Sequence, residues 1–201
     1  TFRHEHIKHW LKEAPFGFSG MPDNDKLMFL LLFNSLSFSY WRDPPWRVEY
    51  LGKKCDRSSW CMIVALRRAL DERMPMLDSA YLEKITKSDV EHILRANIEI
   101  PLLEERWKIL KEIGAVLRQE ESFANIVKRA NGDATELVKQ IVQIFPSFDD
   151  SIVFEGKKVL FYKRAQLLIS DINQVFGGRG CGTFRNIDEL TACADYKIPE
   201  V

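Results

Sequence analysis

What this chain lacks narrows its function before any motif is considered. It has no excess of charge of either sign: 29 Lys and Arg balance 29 Asp and Glu over 201 residues, so no global field draws in a long polyanion, and a small anionic ligand suits the balance better. Its longest apolar run, Leu27 to Phe33, is far too short to span a bilayer, and no basic, apolar and small-residue layout of a signal peptide opens it. Its four cysteines, Cys55, Cys61, Cys181 and Cys193, have no CxxC pairing, which argues against a zinc site or a disulfide framework and for reduced thiols in the cytoplasm. There is no internal repeat, no low-complexity segment and no linker. His4, His6 and His9 have no acidic or thiol companion at ligand spacing, so they read as a solvated helix and no metal is expected.

What is present is a globular composition, 46% hydrophobic and 29% charged, and helical periodicity nearly throughout. One domain, 1–201, is expected; with Thr1 at one end and Val201 at the other, it reads as cut at one or both ends. The pattern predicts helices over His4–Lys12, Asn24–Leu36, Ser58–Arg73, Ser79 onward, Asp89–Ala96 behind a Ser88/Glu91 capping box, Pro101–Gln119, Ser122–Ala130, Asp133–Ile144 and Phe161–Phe176. Arg47–Cys55 alternates as a short strand or hairpin, and Ser151–Leu160 reads as a small hairpin or a loop. The fold expected is all-α, mostly helical, with at most a small β-hairpin.

The chemistry concentrates in the last forty residues. Lys163 opens a helix on which Arg164 and Asp171 share a stripe with Leu168 and Val175, so charge lies among core-facing residues. A glycine turn, Gly177 to Gly182, follows; it either binds an anion through backbone amides or turns a helix corner. Asn186 with Glu189 marks the start of another helix, and Asp195 stands just beyond it. The setting of Lys163 and Asp195 resembles the catalytic pair of helix-hairpin-helix DNA glycosylases. On pattern alone, an ordinary buried ion pair explains them as well.

Several words in order carry a narrower resemblance: FLLLFNSLSFSYW from Phe29, WCMIVALRRALDE from Trp60, PLLEERWKILKEIG from Pro101, FPSFDD from Phe145, FYKRAQLLISD from Phe161 and LTACADYKIP from Leu190. Together they resemble the queuosine salvage family. That resemblance implies a helical domain related to helix-hairpin-helix glycosylases and hydrolysis of the N-glycosidic bond of queuosine 5'-monophosphate, with release of queuine for tRNA modification. It implies Asp195 as the carboxylate that activates water and offsets charge on the sugar, and Lys163 as its partner. It needs no cofactor and no stable nucleic-acid partner.

A 7-deazaguanine lacks the basic N7 of guanine, so the leaving base must be stabilised through its other edges. Phe38 and Trp41 are candidates to stack on the base, Asp43 and Asp171 to accept its hydrogen bonds, and Tyr196 to line the same pocket. The bland reading is that Phe38 and Trp41 finish the core of a helix and Asp43 caps a turn. A helix-hairpin-helix DNA-binding module and a non-catalytic helical protein are the alternative functions.

Overall fold

The computed structural model of the chain describes residues 18–56 and 58–191. It divides into two compact units, Thr1–Gln119 and Glu120–Val201.

The first unit is organised around helix α1 (Asp23–Leu36), buried continuously from Leu27 to Leu36. So apolar a stretch can be helical only if its few polar groups are satisfied on the helix itself: Asn34 Nδ2 donates to Leu30 O at 3.1 Å and Ser35 Oγ to Leu32 O at 2.8 Å. An irregular segment then leads to strands β1 (Val48–Tyr50) and β2 (Lys53–Cys55), antiparallel, with Leu51 and Gly52 both at positive φ, the tight turn that matches strand twist. Helix α2 (Ser58–Asp71) packs on this hairpin and on α1.

Two short helices, α3 (Ser79–Lys84) and α4 (Lys87–Ile93), precede the long α5 (Leu103–Glu120). The expected Ser88/Glu91 box is displaced. Thr86 caps α4, with Asp89 returning the bond to Thr86 N at 2.9 Å. The register is decided by the residues flanking the cap, since Ile85 and Val90 are both buried and staple the turn, whereas a Ser88 cap would put Lys87 in the position of Ile85.

In the second unit α6 (Phe123–Arg129) and α7 (Ala134–Ile144) are capped by Ser122 and Asp133. A 3-10 turn, Pro146–Phe148, leads to the antiparallel pair β3 (Ser151–Phe154) and β4 (Lys157–Leu160), turned at Glu155–Gly156, again with two positive φ values. Helix α8 (Lys163–Val175) follows, then 3-10 turns at Gly180–Gly182 and Ile187–Glu189.

The helical character expected from periodicity is present, but two parts of the fold expectation are corrected. Among the described residues there are two β-hairpins where at most a small one was expected, because both Leu51–Gly52 and Glu155–Gly156 supply the left-handed pair that a two-residue turn needs. The relation to helix-hairpin-helix glycosylases is not supported either: through residue 191, the glycine turn is followed by single 3-10 turns and not by a capped α-helix. The cause lies in Asn186. Its side chain makes no cap for the turn it precedes; its Oδ1 accepts from Ala134 N at 2.8 Å and its Nδ2 donates to Asp133 Oδ1 at 3.1 Å, so it serves the start of α7.

Candidate active site

Helix α8 begins without a cap of its own. Tyr162, at the N-cap position, has φ +47° and offers no side-chain bond to the helix. A carboxylate from thirteen residues upstream takes that part: Asp150 Oδ2 accepts from Lys163 N at 2.9 Å. An acid at this position meets both an orphan amide and the positive end of the helix dipole. The other oxygen of Asp150 is buried with no hydrogen-bond partner. Arg164, next in sequence, donates to Ser147 O and lies over the Phe148 ring at 5.4 Å. FPSFDD and FYKRAQLLISD are therefore one structural feature: Ser147 of the 3-10 turn and Asp150 just after it hold the first turn of α8, and Lys163 with it.

Gln166 extends the cluster. Three residues beyond Lys163, on the neighbouring turn position, its Oε1 accepts from Thr191 N at 2.8 Å and from Thr191 Oγ1 at 3.1 Å, while its Nε2 donates to Phe161 O. The start of LTACADYKIP is thus tied to the helix that carries Lys163. Asp195 and Tyr196 lie outside the described residues. Asp171 is buried, 5% exposed, two helical turns beyond Lys163 on α8.

The glycine turn closes α8 from within. Gly177 N donates to Gln174 O and Gly178 N to Asn173 O, the paired bonds of a left-handed helix stop. Arg179 N, Gly182 N and Thr183 N also donate inside the turn. Gly182 is required for packing, since a Cβ there would meet Phe176 Cβ at 2.6 Å and Ile172 O at 2.9 Å. With five amides consumed internally, the turn has the character of a helix corner and not of an anion cradle.

The aromatic segment belongs to the first unit, and its organiser is a residue that sequence reasoning passed over. Arg106, fully buried on α5, lays its guanidinium over the Phe38 ring at 4.1 Å and near the Tyr40 ring at 5.7 Å, and donates to the carbonyls of Phe38 and Ser39. Ser39 sits at positive φ, so those bonds hold a backbone that would not choose this shape unaided. Burial pushes the Tyr40 phenol up to about 12, despite the nearby Arg106 charge, and its hydroxyl donates to Ser37 Oγ at 3.2 Å. Phe38 is half-buried, Trp41 is 71% exposed and Asp43 is exposed. One face of Phe38 is thus covered by Arg106, and Trp41 presents its ring outward.

Asp150, Gln166 and Arg106 all stand inside words quoted above. The one available signal was their residue type in an otherwise apolar setting; their partners are remote in sequence. Among the described residues no group of three or more His, Cys, Asp or Glu is placed to hold a metal, and no helix is long and apolar enough to cross a membrane.

These words, and the contacts among them, fall inside the match of residues 19–201 to the family model described as queuosine salvage protein. The chain belongs to the queuosine salvage protein family. Similar proteins named queuosine 5'-phosphate N-glycosylase/hydrolase include that of Sphaerobacter thermophilus, 41% identical over 175 residues, covering 86% of this chain and 54% of the relative. Those of Bos taurus, 37% identical over 188 residues (89% and 54%), and Nematostella vectensis, 38% over 179 (86% and 51%), carry the same name. The chain spans about half the length of the curated relatives it matches. The queuosine salvage match runs through both compact units.

Proposed function

We propose that this protein hydrolyses the N-glycosidic bond of queuosine 5'-phosphate in the cytoplasm, releasing queuine and ribose 5-phosphate. The observation that carries the reading is the convergence at the first turn of α8, where Asp150 fixes the backbone of Lys163 and Gln166 anchors Thr191. Three residues separate Thr191 from Asp195, at most about 14 Å of extended chain, and this short connection supports the carboxylate as the proposed partner of the lysine. The names of the relatives supply the substrate class.

In the proposed reaction water adds to the anomeric carbon as the carbon–nitrogen bond breaks. The bonding pair leaves with the base, which takes up a proton, and the water's proton passes to Asp195. The same carboxylate offsets positive charge on the sugar. Lys163 keeps it ionised and orients the water or the ribose hydroxyls. Phe38, Trp41, Asp43, Asp171 and Tyr196 are the residues proposed for base recognition, each tested by the KM of its alanine variant. The substrate is a small nucleotide, and no stable nucleic-acid complex is required.

The test incubates the protein with queuosine, its 5'-monophosphate and guanosine 5'-monophosphate and follows released base by chromatography. Release from the deazaguanine nucleotide, lost in Asp195→Asn and Lys163→Ala with folding intact, is expected. No release, or full turnover in Asp195→Asn, would sink the reading. Covalent trapping by borohydride would replace direct hydrolysis with a Schiff-base route.

A further inference from the structure

The first unit contains a basic cleft of about 450 Å³ that no part of the proposed reaction uses. It is framed by the β1–β2 hairpin, the last turn of α2 and the segment after α4. Arg47, Lys54, Arg68 and Arg95 line it, with Glu49 the one acidic residue in the wall. An adjoining hollow of about 470 Å³ shares Glu49, Arg68 and Arg95.

Arg68 sets the character of the cleft. It is 7% exposed, and it makes no ion pair among the described residues. Its guanidinium donates to the carbonyls of Glu49 at 2.9 Å, Ile93 at 3.3 Å and Arg95 at 2.6 Å, and its Nε is buried without an acceptor. Three carbonyls orient this cation without neutralising it. Burial, and then the charge of Arg95, hold its guanidinium below the ordinary value, with Glu72 only partly opposing them. Glu72, in the wall of the adjoining hollow, pairs with Arg95 and with His92 at 3.1 Å and not with Arg68. Arg47 and Lys54 form no ion pair among the described residues either.

The walls are fixed before any ligand arrives. Asn97 Oδ1 accepts from Arg47 N at 2.7 Å, Asn97 N donates to Arg47 O at 3.2 Å, and Trp46, buried beside them, donates to Leu94 O. A buried cation without a counter-ion is costly, and its cost falls when an anion enters. Forked guanidinium donors beside an ammonium match a tetrahedral dianion with several acceptor oxygens.

We propose that this cleft binds a phosphate group, free or as the monoester of a small nucleotide, through Arg47, Lys54 and Arg68. The proposal does not rest on the glycosidic chemistry, since none of these residues has a part in it.

The test titrates the full chain with inorganic phosphate and with adenosine 5'-monophosphate at constant ionic strength, with adenosine and chloride as controls, and reads the dissociation constant by calorimetry. Removing Arg68 risks losing the cleft itself, so the variants are R47E and K54E, both at exposed positions. Phosphate or the nucleotide should bind and the controls should not, with each variant weakening binding at least tenfold and K163A leaving it unchanged. Equal binding of phosphate and nucleotide assigns the site to free phosphate; tighter nucleotide binding assigns it to a monoester. The proposal is overturned if neither binds, or if R47E and K54E both bind as the parent does.

Discussion

Gly114 sets two effects of opposite sign against each other. It stands mid-helix in α5, where Gly→Ala ordinarily stabilises by about 1 kcal/mol through helix propensity and the lost freedom of the unfolded chain. A Cβ at this position, however, would lie 2.1 Å from Glu83 N, 2.5 Å from Leu82 C and 2.7 Å from Glu83 Cα. Ordinary carbon contacts begin near 3.5 Å, so the backbone of α3 must retreat by roughly 1 Å or more. It is poorly able to do so. Trp107 Nε1 holds Ile85 O at 2.7 Å, Asp78 caps the helix through Ala80 N, and Leu82 and Ile85 are buried on either side. Overpacking against fixed backbone belongs at the upper end of about 1–3 kcal/mol, which leaves Gly114→Ala destabilised by about 2 kcal/mol. In a chain of this size that lowers the melting temperature by roughly 4–8 °C. Thermal unfolding followed by circular dichroism measures it directly. A Gly114→Ala protein that melts at or above the parent would show that α3 yields freely and that propensity decides the outcome.

Other perturbations separate in the same way. Arg106→Lys keeps the charge but loses the planar fork that spans two carbonyls and two rings, so it should cost about 2–3 kcal/mol in urea unfolding; parent-like stability would mean that charge alone suffices. Asp150→Ala should cost about 1 kcal/mol and lower kcat under the proposed reaction, with Asp150→Asn recovering most of the stability because its amide oxygen still accepts from Lys163 N; equal loss in both variants would deny the capping role. The Asp133 carboxyl is held well below its usual range, first by Glu136 N–H, then by Asn186 and Thr135. Its folded value lies below the unfolded one, so its contribution is complete above the unfolded value near 4 and is lost as pH falls below it. The stability gap between the parent and Asp133→Ala should therefore narrow from pH 5 toward pH 2 in acid titrations; a constant gap would contradict it.

The elements that could be read from sequence are those whose signal is local. Leu27 to Phe33 admits no placement but a buried helix, and Ser122 and Asp133 cap the helices they precede at the expected positions. The spacing points to Ser88/Glu91 as the cap of α4, but Thr86/Asp89 two residues earlier supplies it, and the buried pair Ile85 and Val90 is what selects that register. The second hairpin escaped firm assignment for a different reason. Ile152, Val153 and Phe154 are consecutive and all exposed, so β3 shows none of the alternation by which a half-buried strand is recognised.

The site is legible in residue type and illegible in partnership. Lys163 is conspicuous in the sequence, yet the group that positions its backbone is thirteen residues away, and the threonine that ties in the final segment is twenty-five residues from Gln166. Asn186 shows why a local pattern can be real and still mislead. Its Nδ2 does donate to Glu189 at 3.0 Å, the contact that the Asn/Glu spacing suggests. A side-chain amide has two donors and an acceptor with two lone pairs, so that bond leaves most of its capacity unspent. The remainder goes to α7, where Oδ1 receives Ala134 N and Nδ2 reaches Asp133. With its oxygen turned toward Ala134 N, the amide makes no cap for its own segment, and Ile187 to Glu189 closes as a single 3-10 turn.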